Sequence, residues 1–241
     1  MHPNAYDQKT GDGEGTCYEY DTDGHLLRTV YPDGGVERSF YDGEGRLVKH
    51  VLPEQYDPAA DDGEGTSYEY DAAGRLLAAA GPDGALEEAY AYDLWGNCVQ
   101  KTDAEGYHTH YSYDLAGRLV RELVPVGRGR DDLHYRMTEY AYDGNGNRIR
   151  ETRYGGRYRE DGTLEEAGTD LSLSFTYDAR GRLVRVEDGL GARACYCYDV
   201  RGNRTSEEQV VDSGEDGGRV VLRKVRFRYD MSMMTRDGWK S

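Results

Sequence analysis

Long apolar runs are missing from this 241-residue chain; the longest, Leu76–Ala80, is far short of the roughly 20 residues a bilayer-spanning helix needs. Basic residues are also short, with 30 Lys and Arg against 46 Asp and Glu, for a net charge of −16. That balance excludes nucleic acid and anionic membrane surfaces as partners, because both demand basic patches. Leu, Ile, Val and Phe together number only 38 of 241 residues, below the roughly 20% at which a charged chain leans towards disorder. Cysteine is scarce: Cys17, Cys98, Cys195 and Cys197 form no framework. Cys195 and Cys197 flank Tyr196 and point in parallel on one strand face, a poor arrangement for a disulfide. Nor does His2-Pro3-Asn4 resemble the charged start of a signal peptide. What the chain has in abundance is tyrosine (22) and glycine (32), and both are periodic.

A ten-residue phrase, Y-x-Y-D-x-x-G-[RN]-x-[aliphatic], begins at Tyr18, Tyr68, Tyr90, Tyr111, Tyr140 and Tyr196. Phe175 starts another copy, Ser39 starts one that has lost its first aromatic, and a ninth at Phe227 decays after Asp230. The constant residues are Tyr20, Asp21 and Gly24; Tyr41, Asp42 and Gly45; Tyr70, Asp71 and Gly74; Tyr92, Asp93 and Gly96. They continue as Tyr113, Asp114 and Gly117; Tyr142, Asp143 and Gly146; Tyr177, Asp178 and Gly181; Tyr198, Asp199 and Gly202. Recurrence at a few tens of residues means an array whose units bury their faces against neighbours, and the tyrosines supply rings for that purpose.

Two aromatics at i and i+2 share one face of a β-strand. The residue between them (Glu19, Phe40, Glu69, Ala91, Ser112, Ala141, Thr176, Cys197) varies freely, as a solvent-facing position does. Asp-x-x-Gly is a turn: Asp accepts from backbone N–H groups ahead of it and Gly supplies positive φ, which predicts a hairpin with a bulge at the glycine. The outgoing strand then carries Leu27, Val48, Leu77, Val99, Val120, Ile149, Val184 or Thr205. The position before them accepts Arg148 and Arg204 as readily as Leu119, so deep burial is not expected there. A second glycine often follows ten residues after the first, at Gly34, Gly84, Gly106, Gly127, Gly156 and Gly191, predicting a second turn. Polar insertions at residues 155–169 and 212–218 are expected to be exposed loops on one edge.

Other constellations are weaker. His108 and His110 share a strand face beside Asp103 and Glu105, but two polar residues on an exposed strand are commonplace and no Cys stands at metal spacing. Asp143-Gly144-Asn145-Gly146-Asn147 mimics a calcium loop, yet Arg148 and Tyr154 stand where an EF-hand needs Gly and Glu. The acidic stretch 57–64 reads as a solvated charge run. Catalytic motifs are lacking, and the recurrent Asp is periodic in the way a turn device is. The expectation is no enzyme, no cofactor and no metal.

The Tyr-Asp repeat with its turn glycine and following Arg or Asn resembles the YD-repeat, or RHS-repeat (rearrangement hotspot), family over residues 18–230. The resemblance implies an all-β fold: consecutive antiparallel β-hairpins forming a curved, spiralling sheet that builds a hollow shell. In secreted bacterial polymorphic toxins and insecticidal complexes such a shell encloses a toxic C-terminal domain; similar arrays occur in wall-associated bacterial proteins and teneurin adhesion proteins. Implied partners are further repeats and an enclosed toxin domain on a longer chain, and the implied location is secreted or cell-surface. Asp57-Pro58-Ala59-Ala60 lacks the glycine of the D-P-x-G-like motif at which such shells self-cleave.

Residues 12–27 match residues 62–77 at an offset of 50, and Pro3, Tyr6 and Asp7 continue the match to Pro53, Tyr56 and Asp57, so the chain opens inside a repeat. Met233 stands where the ninth copy needs glycine. The expectation is one array over residues 1–241, with full repeats at about 18–210, a degenerate one at 225–234, and truncation at one or both ends. Two roles compete: a non-catalytic shell segment, or a free-standing module binding carbohydrate or a cell-surface partner through its tyrosines.

Overall fold

The computed structural model describes residues 15–127, 133–213 and 218–227. The ninth copy beyond Phe227 and the duplication before residue 15 lie outside these residues. Two compact units divide within one strand, at His110 and Tyr111. Among the described residues no helix is long and apolar enough to cross a membrane.

The first unit runs β1 (Cys17–Tyr20), β2 (Leu26–Val30), β3 (Val36–Tyr41) and β4 (Leu47–Val51), then a 3-10 turn at Pro53–Gln55. It continues with the two-residue strands β5 (Tyr56–Asp57) and β6 (Asp62–Gly63), then β7 (Thr66–Tyr70), β8 (Leu76–Ala80), β9 (Leu86–Tyr92) and β10 (Cys98–Asp103). The division falls in β11 (His108–Tyr113). Sequential strands pair antiparallel, and β4 pairs directly with β7 across the insertion that holds β5 and β6. The second unit holds β12 (Leu119–Val126), β13 (His134–Tyr142), β14 (Arg148–Arg153), β15 (Arg157–Tyr158) and β16 (Leu164–Glu166). It closes with β17 (Leu171–Tyr177), β18 (Leu183–Asp188), β19 (Arg193–Tyr198), β20 (Arg204–Ser213) and β21 (Gly218–Arg226). Here β14 pairs with β17 across the second insertion. The protein is all-β, built of consecutive antiparallel hairpins.

Seven of the Tyr-Asp hairpins contain an irregularity beyond the bulge expected at the glycine. Tyr20 opposes Leu26 while Glu19 opposes Arg28, so Leu27 is an extra residue in the outgoing strand. Val48, Leu77, Val99, Ile149, Val184 and Thr205 are skipped in the same way. The recurrent apolar position is therefore the bulged residue of a β-bulge, which bends the strand and raises its local twist. The residue between the aromatics is exposed in seven hairpins; Phe40 is half-buried, with Arg38 and Lys49 on its ring at 5.1 and 5.2 Å.

The insertions are not the edge loops expected. In the first unit, pairing places Val30, Val36 and Val51 with Arg28, Arg38 and Lys49 on the face opposite Tyr18. Residues 52–65 fold over that face. Val51 becomes fully buried, Lys49 Nζ lies 2.6 Å from Asp62 Oδ1, Arg38 pairs with Asp61 at 3.2 Å, and Arg28 sits over the Tyr56 ring. A Cβ on Gly65 would overlap the His50 carbonyl oxygen, so the approach requires glycine. Asp61 and Asp62 of the acidic stretch are thus engaged by cations.

In the second unit, β15 and β16 occupy residues expected as exposed loop, and Tyr158 pairs with Tyr135. Leu123, Tyr135, Met137 and Tyr158 form a buried cluster, again opposite the first tyrosine of the hairpin, Tyr140. Tyr154 donates to Glu139 Oε2 at 2.7 Å; that carboxylate, with burial, pushes its phenol up to about 12. The turn glycine here is Gly162 (φ +83°), not Gly156, which instead lies against the Glu166 carbonyl. Asp212, Ser213 and Gly218 of the other insertion belong to β20 and β21, and 214–217 lie outside the described residues. The packing around Val51 and Tyr158 is consequently made by the insertions, Ala79 and Val210 being buried within the repeats, while the repeat tyrosines stay half-buried or, at Tyr18 and Tyr20, exposed.

Removing the Tyr158 ring should therefore behave as a core truncation. Tyr158→Ala is expected to destabilise by about 3 kcal/mol in urea unfolding, against roughly 0.5 or less for a ring on an exposed loop.

Candidate functional site: the Tyr-Asp turn and the contacts between hairpins

All eight turns share one arrangement. The glycine N–H donates to the Asp carbonyl at 2.9–3.3 Å, and the Asp N–H donates to the carbonyl of the residue after the glycine at 2.9–3.0 Å. Each of the eight turn glycines has positive φ, from +74° to +95°. One carboxylate oxygen accepts the N–H groups two and four residues ahead, as Asp93 does from Trp95 and Asn97, both at 2.9 Å. The second oxygen accepts from the side chain after the glycine: His25 Nδ1 at 2.8 Å, Arg46 Nε at 2.6 Å, Arg118 Nε at 2.7 Å, Asn147 Nδ2 at 2.9 Å. These donors hold the carboxyls below the usual carboxylate range. The backbone N–H of the residue after the glycine is the main cause at Asp42 and Asp71. Its side chain is the main cause at Asp21, Asp93, Asp114, Asp143, Asp178 and Asp199.

The second tyrosine reaches the preceding hairpin. The hydroxyls of Tyr41, Tyr70 and Tyr92 donate to the carbonyls of Leu26, Leu47 and Leu76 at 3.1, 2.9 and 2.8 Å. In the second unit Tyr142, Tyr177 and Tyr198 donate to Leu119, Arg148 and Leu183 at 2.8, 2.9 and 2.8 Å. Leu26, Leu47, Leu76, Arg148 and Leu183 each open a bulge, where the ladder is interrupted and a carbonyl needs another partner.

The residue after the glycine completes the link, a role the sequence pattern recorded only as Arg or Asn. Arg46 Nη1 donates to the Asp71 carbonyl at 3.1 Å and its guanidinium covers the Tyr70 ring at 5.2 Å. Arg75 does the same to Asp93 (3.3 Å) and Tyr92 (4.6 Å), Arg118 to Asp143 (3.1 Å) and Tyr142 (4.9 Å), Arg182 to Asp199 (2.9 Å) and Tyr198 (4.8 Å). His25 stacks on Tyr41 at 4.8 Å. Asparagine is too short for this. After Asn147 and Asn203 the arginine moves one residue on: Arg148 lies between Tyr140 (5.6 Å) and Phe175 (5.0 Å), Arg204 between Tyr196 (5.4 Å) and Phe227 (5.1 Å). Glu151 and Glu207 pair with these two cations at 3.2 and 3.6 Å. The half-open position inferred for Arg148 and Arg204 is thus a cation slot. After Asn97 the next residue is Cys98, and Lys101 instead covers Tyr90 at 5.3 Å and pairs with Glu88 at 2.8 Å.

The remaining candidates find ordinary partners. His108 Nδ1 bonds Thr102 Oγ1 at 2.9 Å, with the His110 ring 6.0 Å away. Asp103 closes its own turn by accepting from Glu105 and Tyr107. No disulfide joins the four cysteines, and Cys197 is exposed. Among the described residues no three His, Cys, Asp or Glu side chains converge as a metal requires.

This geometry agrees with the comparisons. Residues 12–57 and 92–128 match the RHS repeat family model. Those two stretches of the chain are RHS repeats. No curated protein matches. Among solved structures the chain is similar to TcdB2-TccC3, at 22% identity and TM-score 0.51, and to TcdB2-TccC3-Cdc42, at 21% and 0.50. TcdB2-TccC3 without its hypervariable C-terminal region gives 21% and 0.50. Each alignment covers 90% of this chain and 12% of the other, so the array spans about an eighth of those chains. The likeness is one of fold.

Two outcomes test the contacts between hairpins. Tyr92→Phe, which deletes only the bond to the Leu76 carbonyl, should lower urea stability by about 1 kcal/mol, whereas Tyr20→Phe, at an exposed hydroxyl, should change it little. For pH, carboxyls with folded values below the unfolded value of about 3.9 bind fewer protons when folded. Their stabilisation is fully present above that value and is lost as pH falls through the lowered folded ones. The urea midpoint should therefore hold above about pH 5 and drop below about pH 4. Below the isoelectric point near 4.8 growing positive charge adds to the loss, so the share of one turn is read from the smaller acid drop in Asp93→Asn.

Proposed function

We propose that the RHS array is a non-catalytic wall segment of a larger shell that sequesters a toxin or other cargo during export. The observation that carries this reading is the uniformity of the contacts between hairpins. Six tyrosine hydroxyls reach back to the preceding hairpin at 2.8–3.1 Å, so each hairpin specifies the next and the pattern extends without limit. The recurrent carboxylates are consumed in closing turns, which supports a structural role over hydrolysis. Likeness to TcdB2-TccC3, a structure that also exists without a hypervariable C-terminal region, supports placing the array ahead of a variable cargo. A carbohydrate platform is the weaker alternative, because cations already cover Tyr70, Tyr92, Tyr142 and Tyr198.

The test is the intact mass of the native gene product in its source cells and medium. A species much larger than 27.1 kDa, protease-resistant across the array, is the expected result. A stable exported species of 27.1 kDa would overturn the shell reading.

A further inference from the structure

The Tyr-Asp turns of the first unit stand in a row along one sheet edge, because each arginine link joins one turn to the next: Arg46 to Asp71, Arg75 to Asp93. Hairpins advance by two strands, or about 10 Å per turn. The two residues at each tip change character along that row: Thr22-Asp23, Gly43-Glu44, Ala72-Ala73, Leu94-Trp95. At one end lie acids. Glu44 is 72% exposed, and a cleft of about 400 Å³ opens between the first two turns, lined by Asp21, Asp23 and Glu44. At the other end Leu94 is 99% exposed and Trp95 81%. A leucine and a tryptophan side by side in water on a chain with this little apolar surface are not explained by folding, since neither contributes to a core.

The backbone that carries Trp95 is fixed: the Trp95 backbone N–H donates to Asp93 Oδ1 at 2.9 Å, Gly96 has φ +92°, and Asn97 locks the same carboxylate. A fixed turn presents the ring with little backbone freedom to lose on binding, and tryptophan is enriched where interfaces concentrate their energy. We propose that this turn edge docks a protein segment that is amphipathic and cationic, its apolar side chains meeting Leu94 and Trp95 and its lysines or arginines meeting Asp23 and Glu44. At that spacing the apolar end lies about 20 Å from Glu44 and about 30 Å from Asp23, the reach of roughly six and nine extended residues. Charge complementarity selects this occupant: a net charge of −16 opposes a second copy of the chain and an anionic lipid surface alike. The inference does not depend on the shell reading.

Trp239→Phe leaves Trp95 as the sole tryptophan, and its emission reports burial. The probe is a twelve-residue alternating Leu-Lys peptide, compared with a Leu-Glu peptide and with phosphatidylcholine and phosphatidylglycerol vesicles. A saturable blue shift with the Leu-Lys peptide is expected. Leu94→Ser should weaken it about tenfold, and paired Asp23→Lys and Glu44→Lys severalfold with a flatter salt dependence; circular dichroism checks the fold of each variant. No shift, equal response to Leu-Glu, affinity unchanged by Leu94→Ser, or a stronger response to vesicles would each overturn the proposal.

Discussion

The whole array depends on one carbonyl oxygen per hairpin. A bulge breaks the ladder at the start of each outgoing strand and frees a carbonyl; the next tyrosine hydroxyl takes it. In water that bond is worth about 1 kcal/mol. Its value lies in direction, since it can form only if the following hairpin arrives in the right register and on the right side. The cation on the tyrosine ring then shields the bond and ties the neighbouring turn to it. Bulge, tyrosine and cation act as one coupling, and none of the three has a purpose without the others.

Such a coupling explains how a chain so poor in aliphatic residues folds. The repeats carry little core: among the described residues the fully buried side chains are few, and Val51 and Val210 are the ones with essentially no exposure. Stability comes from many half-exposed directional contacts, supplemented where an insertion folds across the face opposite the first tyrosine. Those insertions supply the dense packing, around Val51 in one unit and around Tyr158 in the other. The first also neutralises Arg38 and Lys49 and covers Arg28 with the Tyr56 ring.

What could be read from the sequence was whatever repeats. Strand alternation, the Asp-x-x-Gly turn, the positive φ of its glycine and the exposure of the intervening residue all follow from local rules applied eight times. The second bulge, in the outgoing strand, was visible only as an apolar position, because Leu27 or Val99 looks the same paired or unpaired. The arginine link was visible as a preference and invisible as a contact: its partner, the Asp carbonyl of the next turn, is a backbone atom that leaves no trace in composition. The insertions were misread for a different reason. Tyr158 meets Leu123 and Tyr135 across more than twenty residues, and a polar stretch does not announce that its single tyrosine is buried. Gly156 and Gly65 serve close backbone approach, which local pattern does not separate from a turn.

The shift of arginine by one position after Asn147 and Asn203 has a consequence for how such a chain can change. In both cases the aromatic of the following hairpin that receives the shifted cation is phenylalanine, Phe175 and Phe227, where most other hairpins begin with tyrosine. Hairpins therefore carry a male and a female half, and more than one gauge exists, the Asn97 hairpin with Lys101 being a further one. A recombination event that excises whole units in frame still fails if it leaves a donor of one gauge facing a receiver of another. Surviving rearrangements should be those whose breakpoints fall between hairpins of matching gauge, which makes the order of units, and not only their number, heritable.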